Sequence, residues 1–104
     1  MIVYIAGPMT GYEKLNKPAF DEAKEYLNAE FAGIAQVVIP HNIIPKELNG
    51  LMPLEMYIRV NVDVVLSSSM VFMLEGWQTS KGATAEHYLA KWAGKQIRYQ
   101  GELA

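Results

Sequence analysis

The residues best placed to do chemistry lie in one stretch, Leu74-Glu75-Gly76-Trp77-Gln78-Thr79-Ser80-Lys81-Gly82-Ala83-Thr84-Ala85-Glu86. It leaves an apolar run, Met70 to Leu74, and turns through glycine, tryptophan and small hydroxyl residues. It then enters a helical pattern that carries Glu86 in its first turns. A strand, a Gly/Ser turn and a helix start form an anion- and sugar-binding corner in α/β proteins, because the first N–H groups of the helix are free. A carboxylate held there is a candidate nucleophile. The competing reading is an exposed acidic side chain that complements the helix dipole. Ser80 has two compatible readings, helix N-cap and ligand-binding hydroxyl. Trp77 reads as a ligand wall, a packing lid or a subunit contact.

Other chemistry is poorly supported. The chain has no cysteine, which removes disulfides, thiolate nucleophiles and Cys-based zinc sites. His87 adjoins Glu86 and so points to a different helix face. Neither it nor His41 has a second ligand at a His-Glu-x-x-His spacing, so no metal is expected. Gly7 to Gly11 is not a Gly-x-Gly-x-x-Gly fingerprint, and no cofactor is expected either.

The elements that must position this stretch can be read from pattern. At 104 residues with 51% apolar content, one domain over residues 1–104 is expected. Ile2 to Ala6 is a β-branched and aromatic run stopped by Gly7-Pro8, hence a buried strand. Gly7 to Gly11 is a loop. Asn16 is read as the cap of a helix with Pro18 in its first turn, Phe20, Ala23, Leu27 and Phe31 on its inner side, and Gly33 at its end. Lys14, Lys17 and Lys24 read as a solvated face. Gln36 to Ile39 is a second strand, and His41 to Met52, with Asn49-Gly50, reads as loop.

Residues 57–66 fit two patterns. Ile58, Val60, Val62 and Val64 alternate as in a strand, yet Ile58, Val62, Val65 and Leu66 share a helical face. A crossover is needed before the strand at Met70, so Leu54 to Ser67 is predicted as helix. Ser80 to Ala93 is a third helix and Gln96 to Tyr99 a last strand. The alternation implies an α/β fold, a Rossmann-like or flavodoxin-like three-layer sandwich with a parallel sheet of four or five strands. Ligands in such folds bind at the carboxyl ends of the strands, where Gly7 to Gly11, His41-Asn42 and Gly76 to Gly82 fall.

Two motifs, Tyr4-Ile5-Ala6-Gly7-Pro8-Met9 and Gly76-Trp77-Gln78-Thr79-Ser80-Lys81-Gly82-Ala83-Thr84-Ala85-Glu86, resemble the nucleoside 2-deoxyribosyltransferase-like superfamily. The nearest branch comprises short phage and bacterial proteins with a Gly-Trp-x-x-Ser-x-Gly-Ala-x-x-Glu signature. The resemblance implies cleavage or exchange of the N-glycosidic bond of a nucleoside or nucleotide. It also implies homo-oligomers in which a neighbouring subunit helps close the site. It assigns Glu86 as nucleophile, Tyr4 as the residue that orients it, and Ser80 to the sugar's 5′ side or phosphate. Gly7 would admit ligand close to the backbone, with Pro8, Gly76 and Gly82 beside it and Met9 and Trp77 as walls. Asn61 falls where many members carry an aspartate near the sugar and base, and an amide can hydrogen-bond but cannot donate a proton as an acid does. Ser69 replaces a second aspartate, and Thr10 lies near the place of a phosphate-binding arginine.

Partners and location follow from charge and hydropathy. Net charge is −2 with no basic stripe, so polymeric nucleic acid is not the expected ligand. No apolar run reaches membrane-span length and the start lacks a signal-peptide pattern, so a cytoplasmic chain is expected. Exposed-looking Trp92 and the tail Gln96 to Ala104 are candidate subunit contacts. The enzyme reading has one rival from another class, a protein that binds a nucleotide or nucleotide-derived signal without turnover. A purely structural oligomerisation protein is a third reading, and it leaves the Gly76 to Glu86 motif without a purpose.

Overall fold

The computed structural model describes residues 1–44 and 51–101, and it has the α/β architecture that the sequence predicts. The strands are β1 (Ile2–Ala6), β2 (Gln36–Val38), β3 (Met70–Met73) and β4 (Gln96–Tyr99), all parallel, in the order β2-β1-β3-β4. The helices are α1 (Lys17–Phe31), α2 (Leu54–Ser67) and α3 (Lys81–Trp92). The sheet order reverses direction at β1 and β3, the central pair, which creates the crevice where ligands bind in such sheets.

Side chains alternate across a strand, so β1 feeds two separate cores. Val3 and Ile5 join Phe20, Ala23 and Leu27 of α1, with Val37, Ile39, Met70, Phe72 and Leu74. Tyr4 and Ala6 join Val65 of α2 and Ala83 and Ala90 of α3, with Val71 and Met73. The result is the three-layer sandwich, with α1 on one face and α2 and α3 on the other. Each large apolar side chain fully buried this way contributes about 1.5–3 kcal/mol.

The ambiguous stretch is helical over Leu54–Ser67. The first helix starts where predicted, with Asn16 at the N-cap position and Pro18 in the first turn, but Asn16 does not cap in the expected way. Asn16 is left-handed (φ 61°) and makes no cap bond; its Nδ2 donates to the Pro8 carbonyl at 2.9 Å. Lys14, Leu15 and Asn16 form a left-handed run that non-glycine residues seldom adopt. His41 Nε2 donates to the Leu15 carbonyl at 2.8 Å and packs edge-on against Phe20, which fastens this run from the other side. Of the loop expected over residues 41–52, positions 45–50, including Asn49-Gly50, lie outside the described residues, as do positions 102–104 of the tail. Among the described residues no helix is long and apolar enough to cross a membrane.

Candidate active site

Register brings the segments that carry the candidate residues to one edge. Ala6 of β1 pairs with Met73 of β3, and Met73 pairs with Tyr99 of β4, so the segments that follow all three strands emerge side by side. The segment after β3 turns at Gly76, whose φ of 85° favours glycine, passes through a short 3-10 turn over Trp77–Thr79 and enters α3. Ser80 caps that helix: its Oγ accepts from Ala83 N at 3.2 Å. The first helical bond of α3 runs from Thr84 N to Ser80 O, so the N–H groups of Lys81 and Gly82 precede the ladder and face out of the helix start.

Between this helix start and the loop after β1 lies a cavity of about 310 Å³, lined by Pro8, Thr10, Thr79, Ser80, Lys81 and Gly82. A Cβ added at Gly82 would meet nothing, which leaves that wall open. Asn16 fixes the carbonyl of Pro8, and so anchors the opposite wall. Free N–H groups, hydroxyls and an ammonium gathered around one cavity suit an anion.

Glu86 follows Gly82 by one turn on the same flank of α3. Tyr4, fully buried in the middle of β1, donates its hydroxyl to Glu86 Oε2 at 2.6 Å. Burial raises the Glu86 carboxyl from its ordinary value to about 7, with the Tyr4 hydrogen bond acting the other way. Burial, and then the charge of Glu86, holds the Tyr4 phenol well above its ordinary range, so the phenol remains a donor. Tyr4 engages Oε2, and no hydrogen bond among the described residues engages Oε1. The arrangement is a partly buried carboxylate, held on one oxygen by Tyr4, on the helix whose start borders the cavity.

The structure gathers Pro8, Gly76, Ser80 and Gly82 around this edge, with Tyr4 and Glu86 beneath it. Other expected residues lie differently. Met9 does not wall the cavity; it packs half-buried against the α1-side core. Its parity explains this, since it continues the Val3 and Ile5 face of β1. The space a Cβ would take at Gly7 is filled by Leu74, with contacts at 2.8 Å, so tight packing at the strand end accounts for the glycine. Trp77 stacks on His87 with ring centres 4.2 Å apart and lies near Tyr99, lining a separate cavity of about 200 Å³. His87 is buried, bonded through Nε2 to the Tyr99 hydroxyl at 2.6 Å, and burial lowers its pKa. Asn61 is half-buried near the middle of α2, and no hydrogen bond among the described residues involves it. Ser69 is remote, because its N–H bonds Ile2 O at the opposite edge of the sheet.

Sequence reasoning missed Thr79 and Lys81 as lining residues and Asn16 as the anchor of Pro8. Lys81 had a signal, since it stands directly after an N-cap at a strand-to-helix turn. Among the described residues no three of His, Asp and Glu converge as metal ligands do.

A family model described as "Domain of unknown function (DUF4406)" matches residues 1–99. No curated protein matches the chain. Among solved structures, the fold is similar to one described as a 2-desoxiribosyltransferase from Leishmania mexicana, with a TM-score of 0.68 and 16% identity. The likeness covers 94% of this chain and 62% of that one, and at this identity it speaks to the fold.

Proposed function

The chain belongs to the family described as domain of unknown function DUF4406, and from its site geometry we propose that it cleaves or transfers the N-glycosidic bond of a small nucleoside or nucleotide. The observation that carries this reading is the Tyr4–Glu86 pair, a dehydrated carboxylate held by one oxygen at the ligand-binding edge of the sheet. The fold shared with a 2-desoxiribosyltransferase supports it.

Breaking an N-glycosidic bond builds positive charge on the sugar, and a fixed carboxylate in a dry site stabilises that charge. Glu86 Oε1 forms a bond to the anomeric carbon as the C1′–N bond breaks and its electron pair leaves with the base. Water then attacks the same carbon and releases Glu86, giving hydrolysis; a second base attacking there gives transfer. Tyr4 keeps the carboxylate in line throughout. The departing base takes a proton from a water molecule, the water that attacks the sugar gives one back to solvent, and Asn61 offers the base only a hydrogen bond. The cavity at the start of α3 holds the 5′ end of the substrate, and Lys81 with the Lys81 and Gly82 N–H groups suits a phosphate there.

The test is incubation with a panel of nucleosides, nucleotides and NAD, read by chromatography for released base. Wild-type protein is expected to release base from at least one, and Glu86→Gln to lose about a thousandfold or more of that rate while remaining folded. Equal release by both proteins sinks the proposal. Thermal stabilisation by a ligand that is recovered intact assigns the site to binding without turnover.

A further inference from the structure

The loop after β1 holds backbone that its side chains do not favour. Lys14, Leu15 and Asn16 are left-handed, at φ 53°, 53° and 61°. Asparagine tolerates that region; lysine and leucine seldom adopt it. Burial gives neither a reason to do so, since Lys14 and Leu15 are both exposed, Leu15 by 45%. Backbone of this kind persists only where its surroundings fix it from several sides, and such places cluster at functional sites.

Hydrogen bonds from within the loop and from outside it do the fixing. Tyr12 N donates to Met9 O at 3.1 Å and Leu15 N to Tyr12 O at 3.0 Å, which folds the loop back on itself. The Asn16 amide, brought round by the left-handed run, donates to Pro8 O at 2.9 Å and closes the loop. The outside bond comes from His41, 26 positions beyond Leu15, in the 3-10 turn Pro40–Asn42 that follows β2. Its Nε2 reaches Leu15 O at 2.8 Å. A carbonyl only accepts, so Nε2 carries the proton. The ring sits edge-on against fully buried Phe20, with centres 4.7 Å apart. Its Nδ1 is buried with no hydrogen-bond partner among the described residues. A buried polar atom left unpaired is unfavourable, and the bond to the loop is what the position gains against it.

The closed loop also sets what faces the crevice. Pro8 and Thr10 lie within it and line the cavity at the start of α3. Tyr12 reaches the segment after β3, where a Cβ on Gly76 would lie 3.5 Å from its hydroxyl and 3.5 Å from Pro8 Cγ. We propose that His41 is a positioning residue for the anion cavity: by holding Leu15 O it keeps the loop in the shape in which Asn16 pins Pro8 opposite the start of α3. The inference rests on the reading of that cavity as a phosphate site. His41 acts through Leu15, Asn16 and Pro8. Loss of its bond lets the left-handed run relax and frees the wall that carries Pro8 and Thr10. Lys81 and the first N–H groups of α3 then meet an anion that nothing encloses from the other side.

The experiment is an NMR titration of the full chain with inorganic phosphate, read at the amide resonances of Lys81 and Gly82. Wild type is expected to bind there, and Lys81→Ala to bind about tenfold more weakly. His41→Phe keeps a ring against Phe20 and removes only the donor. It is expected to raise Kd about fivefold to tenfold. His41→Gln sets an amide N–H where Nε2 stood and is expected to regain most of the affinity. Asn16→Ala is expected to weaken binding as His41→Phe does, and the double variant to lose little more than either single, because both act through Pro8. Circular dichroism checks that each variant is folded at the titration temperature. Phosphate that shifts neither amide in wild type overturns the reading of the cavity and the proposal with it. Weakened binding by Lys81→Ala with wild-type binding by His41→Phe leaves that reading standing and overturns the proposal. So does a Gln variant that binds no better than the Phe variant.

Discussion

The Tyr4 hydroxyl donates to Glu86 Oε2 at 2.6 Å, linking the middle of the first strand to the third helix across 82 residues of sequence. Tyr4 is fully buried in the core, so its hydroxyl is sheltered from competing water and donates to that carboxylate. The pair sets both the direction of the carboxylate and the pH at which it ionises.

Tyr4→Phe tests this directly. The hydrogen bond lowers the Glu86 pKa against the opposing effect of burial, so removing it moves the carboxyl further above 7. The acid limb of the pH–rate profile for base release is expected near 7 in wild type and at higher pH in the variant. At neutral pH the variant should be about tenfold to a hundredfold slower. An unmoved limb would detach Tyr4 from the ionisation of Glu86.

Stability carries the same signature with a definite sign. The folded Glu86 pKa is raised, so between its ordinary value of 4.5 and about 7 the folded state keeps a proton that the unfolded chain has released. Its contribution therefore declines as pH rises through that window, and the full cost is present above it. Glu86→Gln removes the cost. Urea unfolding should show the variant more stable than wild type by roughly 2–3 kcal/mol above the window and little different below it. A difference that does not vary with pH would contradict the burial argument.

Ser80→Ala separates the cap from the ligand. Loss of the Ser80 Oγ to Ala83 N bond should cost about 1 kcal/mol and lower Tm by roughly 4–8 °C. Ser80→Asp replaces the cap and should recover the stability, while its negative charge should still weaken any phosphate-bearing ligand.

Lys81→Ala should raise KM for 5′-phosphorylated substrates about tenfold and leave that for nucleosides unchanged. The cavity at the start of α3 predicts this split, since Lys81 lines it while Glu86 lies one turn further along. Equal effects on both substrate classes would place the phosphate elsewhere.

Gly7→Ala is expected to destabilise the fold by about 1–3 kcal/mol, because the new Cβ would sit 2.8 Å from Leu74 Cβ. Leu74→Ala keeps the Cβ contact but removes those with Cδ1 and Cγ at 2.8 and 3.1 Å, so the double variant should cost somewhat less than the sum of the two single changes. Thermal melts of the three variants measure the coupling.

Much of this was legible in the sequence because local chemistry and periodicity agree there. β1 is a β-branched run with a Gly-Pro stop, and its bounds match the structure. The stretch 57–66 satisfied both a two-residue and a helical period, because valine occupies positions common to both, and only the need for a crossover decided it. Asn16 stands at the N-cap position that its type predicts, yet its amide donates to the Pro8 carbonyl instead of its oxygen capping the helix, and that depends on how the loop folds back. Met9 has the character of an apolar pocket wall, but it packs against the α1-side core, on the face that the parity of β1 gives it. Thr79 and Lys81 carry no periodic signal, and they line the cavity only because β1 and β3 end at the same level.

The contact between Tyr4 and Glu86 requires that strand one be paired on its β3 edge, that α3 be seated, and that the chain between them already cross over. No short fragment can rehearse it, and parallel pairing of this kind closes long loops before it gains contacts. The proposed base release should therefore return after denaturation only with complete assembly of the chain, lagging behind the helix signal.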